Sequence, residues 1–153
     1  MDYRIEPVAF VRGGRAEPSD DHWGGNRSVI ELDPARYAAD ALAGLDGFSH
    51  VEVIFLFDRV APERIERGAR HPRGRRDWPL VGIFAQRGKN RPNRLGATIC
   101  RIVAVEGTRL AVEGLDAIDG TPVIDIKPVM REFLPREEVH QPDWASDLMG
   151  AYW

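Results

Sequence analysis

Thr98-Ile99-Cys100-Arg101-Ile102-Val103-Ala104-Val105-Glu106 runs into Gly107-Thr108 and returns through Arg109-Leu110-Ala111-Val112-Glu113. β-Branched residues crowd the first arm, and the two-residue break opens with a glycine, which takes the positive φ of a tight hairpin turn. Working outward, other short Val-, Ile- and Phe-rich runs are Val8–Val11, Ser28–Leu32, Val51–Phe57, Leu80–Phe84 and Val123–Ile126, several bounded by Gly, Pro or Asp. Many short strands with few helices predict a mainly β chain, an antiparallel barrel or sandwich. Two helices are signalled. Asp33 caps the first, Pro34 takes its first position, Ala35–Ala43 continue it and Gly44 stops it. The second spans Asp143 to Met149 with Asp143 as its cap.

At 153 residues, 43% apolar and 29% charged, the chain suits one domain with a core of its own. Its single cysteine, Cys100, excludes an internal disulfide and a cysteine-based zinc site. The longest uninterrupted apolar run, Val53 to Phe57, is five residues, against the ~20 of a membrane helix. Met1 to Glu6 interleaves charges, so no signal peptide is expected and the expected location is cytoplasmic.

The net charge of −3 is unevenly spread: Arg64 to Arg101 carries +9 and the rest of the chain −12. Such asymmetry fits either a polyanion-facing surface or a solvated arginine-rich loop. Familiar nucleotide signatures are missing. Gly82 through Gly88-Lys89-Asn90 has one residue too many for a phosphate loop and lacks its Ser/Thr, and no G-x-G-x-x-G occurs. His22, His50, His71 and His140 are scattered without metal-ligand spacing, and no G-x-S-x-G elbow is present.

Two segments stand out. Gly82 to Gly96 leaves an apolar strand for a loop holding Arg87, Lys89, Arg91 and Arg94 with Asn90 and Asn93. Forked guanidinium donors suit carboxylate or phosphate, and Asn93 suits an amide or base edge. Gly114-Leu115-Asp116-Ala117-Ile118-Asp119-Gly120-Thr121-Pro122-Val123-Ile124-Asp125-Ile126-Lys127-Pro128 bends at Gly120 and enters a strand. On that strand Asp125 and Lys127 share one face, and Ile124 and Ile126 are expected to face the core.

Together these segments resemble the TsaA-like (YaeB-like, TrmO-type) family of tRNA N6-adenosine methyltransferases. Arg91-Pro92-Asn93 with Gly96 matches its R-P-N-x-x-G motif, Leu115 to Pro128 its L-D-x-x-D-G-T-P-V-x-D-I-K-P motif, and Gly44 to His50 its G-L-x-x-F-S-H segment. The resemblance implies a small antiparallel β-barrel, usually a homodimer, that binds S-adenosyl-L-methionine without a Rossmann fold. It implies methylation of N6 of threonylcarbamoyl-adenosine beside the tRNA anticodon. A single domain over 1–153 is expected, with the barrel at about 5–128 and a tail over 129–153.

Carried over residue by residue, the resemblance puts the cofactor contacts at Asp58, Arg59, Arg87, Ala97, Ile118, Asp119, Gly120 and Thr121. The family's early P-R-Q loop is absent, and Asp20 to Gly25 stands in its place, so His22, Trp23 and Gly24 are assigned to the cofactor there. Trp23 either stacks on adenine or packs on a neighbouring strand. Gln86 replaces the Thr of the family's A-T-R stretch, and Gly88-Lys89-Asn90 replaces S-P-F. Asp119 or Asp125 is the expected acceptor of the amine proton; Asp119 alternatively shapes its turn through an Asx bond to Thr121. Arg73, Arg75, Arg76, Lys89, Arg91 and Asn93 are the expected tRNA contacts. Two other functions fit the same residues: a cofactor-binding barrel without methyl transfer, and transfer to another RNA or small molecule.

Overall fold

The computed structural model describes all 153 residues. In chain order the strands are β1 (Ala9–Arg12), β2 (Arg27–Leu32), β3 (His50–Leu56), β4 (Ala69–Arg70), β5 (Val81–Gly82), β6 (Leu95–Glu106), β7 (Arg109–Glu113) and β8 (Pro122–Pro128). Six of them close into an antiparallel barrel in the order β1-β2-β7-β6-β3-β8, while β4 and β5 pair separately. The expected hairpin is β6–β7, with Gly107 at φ 61°.

Alternation builds the interior. Val51, Val53 and Phe55 of β3 point inward and meet Val11, Ile30, Cys100, Leu110, Val112 and Val123. Bulges interrupt two ladders. Val103 is the extra residue between Ile102 and Ala104, and β8 slips a residue opposite Ile54 and Phe55. The second bulge corrects one expectation: Val123 pairs with Phe55 and Ile126 with Val53, so Ile124 is left half-buried at the bulge rather than facing the core.

The expected helix over 33–44 is not continuous. Asp33 Oδ1 accepts the Ala35 N–H at 3.0 Å, as a cap should, but Ala38 is extended and only a short 3₁₀ turn follows at Ala39–Leu42. Tertiary packing overrides local propensity here: the extended Ala38 redirects the chain, and Tyr37, Leu42 and Leu45 pack against the core from separate short turns. Leu80–Phe84 is likewise shorter than expected, with Val81–Gly82 as strand and Ile83–Ala85 as a 3₁₀ turn. Ile83, like Trp78, Val60 and Pro72, is buried outside the main core cluster, whereas Phe84 is exposed. Buried Gln86 braces that region, donating to the carbonyls of Arg70 and Val81 at 3.0 Å each.

The tail helix α1 forms at Asp143–Met149 as expected, but Pro142 holds the cap position and Asp143 lies in the first turn without capping it. The tail leaves β8 beside His50, where the Val129 N–H meets the His50 carbonyl, and returns to the opposite barrel end at Tyr152. No helix is long and apolar enough to cross a membrane.

Gly96 faces the Phe55 ring so closely that a Cβ there would lie 2.5–3.0 Å from three ring atoms. Gly96→Ala is therefore expected to lower stability by about 1–3 kcal/mol through overpacking. Adding Phe55→Leu should recover part of that loss relative to the sum of the single variants, and urea denaturation of the double-mutant cycle checks it.

Candidate functional site at one barrel rim

Strand polarity assembles the site. The C-terminal ends of β1, β3 and β7 and the N-terminal ends of β2, β6 and β8 lie at the same barrel end. Three connections therefore open there: 13–26, 57–94 and 114–121. Every residue assigned to the cofactor is on one of these connections, apart from Ala97, which is in the first turns of β6 at the same rim.

The 114–121 connection is held by backbone and side chain together. Gly120 bends at φ 86°, its N–H meets the Val11 carbonyl at 2.7 Å, and the Asp119 N–H meets the Arg15 carbonyl at 2.7 Å. Asp119 Oδ1 accepts the Gly13 N–H at 2.8 Å, so the carboxylate ties two connections together and makes no Asx bond to Thr121. Asp119 is nonetheless exposed, and Thr121 is buried beside it. Arg59 reaches the same place, pairing with Glu17 at 3.7 Å and donating to the Ala16 carbonyl at 3.4 Å, while Asp58 is exposed next to it.

The 20–25 stretch is anchored by Arg15, which donates to the carbonyls of Asp21 and His22 and lies over the Trp23 ring at 4.3 Å. Trp23 is 3% exposed and its indole N–H meets the Ser19 carbonyl at 3.2 Å. Of its two expected roles, packing is the one realised, with Arg15 covering a ring face. Exposed His22 and half-buried Gly24 flank it. On the long connection Arg87 is exposed and donates to the Ala97 carbonyl. Ala97, Ile54 and Asp125 lie in one row across β6, β3 and β8, so Asp125 is about 10 Å from Ala97, two strand spacings away. Asp125 itself forms an open ion pair with Lys127 at 3.0 Å and accepts the Ile126 N–H.

The expected RNA cations divide. Arg73 is bound to Asp21 at 2.9 Å and holds that carboxyl below its usual range by hydrogen bonding. Arg75 pairs with Asp77 and lies 4.0 Å over the Trp78 ring. Arg91 is half-buried, donating to the Gln86 carbonyl at 2.9 Å. Arg76 and Lys89 are exposed without an ion pair, and Asn93, four residues after Lys89, is exposed too.

Sequence reasoning missed a polar knot at this rim. Asp116 accepts hydrogen bonds from the Thr98 hydroxyl on one oxygen and the Tyr152 hydroxyl on the other. Burial, then the Asp116 charge, push the Tyr152 phenol well up. The signal for Asp116 was its place in the Leu115–Pro128 motif; nothing in the sequence marked Arg15 or Tyr152.

Comparison with known proteins bears on the family and the fold. The model of the tRNA-methyltransferase O N-terminal domain matches residues 17–133. RcsF of Pseudomonas aeruginosa is 43% identical over 133 residues, 84% of this chain and 55% of its own length. The human tRNA (adenine(37)-N6)-methyltransferase is 35% identical over 102 residues, 67% of this chain and 23% of its own length. A Methanothermobacter thermautotrophicus protein named as a probable S-adenosyl-L-methionine-binding protein is 38% identical over 136 residues, 84% of this chain and 90% of its own length. The crystal structure of TrmO from Pseudomonas aeruginosa superposes with a TM-score of 0.73 at 29% identity, over 91% of this chain and 61% of that one. The chain thus spans about half the length of RcsF.

Behind the rim, Cys100 is 2% exposed, and burial with the nearby Asp116 charge pushes its thiol up to about 12 from 9.0. At pH 8 its thiolate fraction is then about a thousandfold below that of an ordinary thiol. A disulfide reagent at pH 8 should leave the folded protein unlabelled over minutes and label one thiol at once in urea. Rapid labelling of the folded chain would show that the rim opens to the core.

Proposed function

Because this chain belongs to the tRNA-methyltransferase O family, we propose that it transfers the methyl group of S-adenosyl-L-methionine to N6 of an adenosine in tRNA. The substrate we assign is the threonylcarbamoyl-adenosine beside the anticodon, and the working form a cytoplasmic homodimer. The observation that carries this reading is the convergence of His22–Gly24, Asp58–Arg59, Arg87, Ala97 and Ile118–Thr121 on one barrel rim.

The rim's chemistry fits the cofactor. Arg87 presents an exposed guanidinium, which suits the amino-acid carboxylate. Exposed Asp119 and half-buried Asp116 bring negative charge, which suits the ammonium and the sulfonium. The sulfonium supplies an activated methyl group when bound. An adenine N6 amine is a weak nucleophile because its lone pair is delocalised into the ring. The chain's part is to orient that amine in line and take its proton as the bond forms. Asp119 fits the proton acceptor in being exposed at the rim and fixed by the Gly13 N–H. Asp125 is the second choice, since Lys127 must release it first.

A second reading, cofactor binding without transfer, is favoured by the archaeal relative of similar length that is named for binding alone. Single-turnover assays with labelled cofactor and threonylcarbamoylated tRNA separate the two: label in tRNA supports transfer, and none with any tRNA leaves the binding module.

Two expectations follow. Arg87→Ala should weaken S-adenosylmethionine binding about 10- to 100-fold, the loss of a charge-assisted hydrogen bond, read by calorimetry. For tRNA, Arg76→Ala with Lys89→Ala should flatten the log–log salt dependence by about 1.5 units, whereas Arg75→Ala should change it less, because its guanidinium is held by two hydrogen bonds to Asp77 and by the Trp78 ring. Equal slopes for both variants would remove this loop from the RNA contact.

A further inference from the structure

The tail does more than pass the rim. The His22 N–H donates to the Ala151 carbonyl at 2.9 Å and the Trp23 N–H to the Tyr152 carbonyl at 2.7 Å, a short ladder between tail and loop. Gly24 continues it: a Cβ there would lie 2.8 Å from the Trp153 backbone, so only glycine lets the tail sit this close. Tyr152 then turns its ring inward, half-buried, and its hydroxyl closes on Asp116, whose other oxygen is held by Thr98. The charges of Arg87 and Arg73 reach the same phenol. Segment Ala151–Trp153 is therefore packed against Asp116 and the 22–24 loop.

We infer that Ala151–Trp153 is a wall of the S-adenosylmethionine pocket, with Tyr152 a positioning residue that fixes Asp116 and the His22–Gly24 loop for binding. This rests on the cofactor reading given above. The loop's own donors are consumed by the tail, so its contribution to a ligand is shape and the groups the ladder leaves free. Asp116 is different. Each carboxylate oxygen accepts more than one hydrogen bond, so a carboxylate locked by two hydroxyls still takes a ribose hydroxyl or an ammonium. Locking matters because a carboxylate already oriented loses less freedom on binding.

The test is calorimetric titration of the full chain with S-adenosylmethionine, for the unmutated protein, Tyr152→Phe and Tyr152→Ala, beside amide hydrogen exchange at His22 and Trp23. Tyr152→Phe keeps the ring and the backbone ladder, so exchange at 22 and 23 should stay slow while affinity falls about tenfold through loss of the hydrogen bond to Asp116. Tyr152→Ala should weaken binding further and also speed that exchange. Phe133→Ala, on an exposed tail residue far from these contacts, should match the unmutated protein. Unchanged affinity in both Tyr152 variants overturns the inference while the cofactor reading stands. Tighter binding overturns it as well, and makes the tail a competitor for the pocket. If the unmutated protein binds no S-adenosylmethionine although exchange shows the tail docked, the cofactor reading fails and the wall fails with it.

Discussion

Closure of the barrel along the β1–β8 seam is the constraint from which the rest follows. The ladder pairs only Ala9 with Val123 and Phe10 with Pro122. It is extended by the Val8 N–H to the Val123 carbonyl, the Val11 N–H to the Thr121 carbonyl and the Gly120 N–H to the Val11 carbonyl. Without these bonds β1 and β8 would each present an open edge, and the inward face of β8 would lose its partners. Pro122 is tolerated because it opens its strand, where a missing N–H costs little. The seam is made largely by the Asp119-Gly120-Thr121 turn. One short segment thus shuts the barrel and furnishes the rim, which couples the integrity of the site directly to the fold.

That coupling explains what was legible in the sequence and what was not. The strands were readable because alternation is local: Val51, Val53 and Phe55 announce an inward face without knowledge of any partner. Their gathering at one rim was readable only through the family resemblance, since register is a long-range property. The helix expected over 33–44 failed because local propensity spoke for Ala35–Ala43, whereas the folded chain is extended at Ala38 and seats Tyr37, Leu42 and Leu45 on the core from separate short turns. Ile124 failed for a similar reason, as a bulge displaced it from its alternating place.

The basic stretch teaches a related lesson about charge. Its +9 is visible in the sequence, but which cations are free is decided by folding. Asp21 and Asp77, one far away in sequence and one adjacent, consume Arg73 and Arg75. Arg91 and Arg94 turn inward to the carbonyls of Gln86 and Val60, bracing the connection that carries them. What remains for a polyanion is a smaller set, Arg64, Arg67, Arg76 and Lys89, on a connection braced by its neighbours. Phosphate contacts from a braced loop lose less side-chain freedom than contacts from a mobile one, so fewer free cations need not mean weaker docking.

Three aspartates divide the rim's work by how they are tied. Asp125 is screened by its surface pair with Lys127, and solvation makes such a pair weak and easily exchanged. Asp116 is the most constrained, half-buried with both oxygens engaged by hydroxyls, so it suits fixed electrostatic and hydrogen-bonding duty rather than proton transfer. Asp119 lies between these extremes. One oxygen is steadied by the Gly13 N–H, while the side chain is otherwise open at the rim. A proton acceptor needs that combination, because orientation comes from the held oxygen and reach to an incoming amine from the other. The bond to Gly13 also joins the closing turn to the loop after β1, so removing the carboxylate would disturb the seam that shapes the site. Position and chemistry are therefore inseparable at Asp119, whereas Asp125 is tied only within its own strand, to Lys127 and the Ile126 N–H, and joins no two connections.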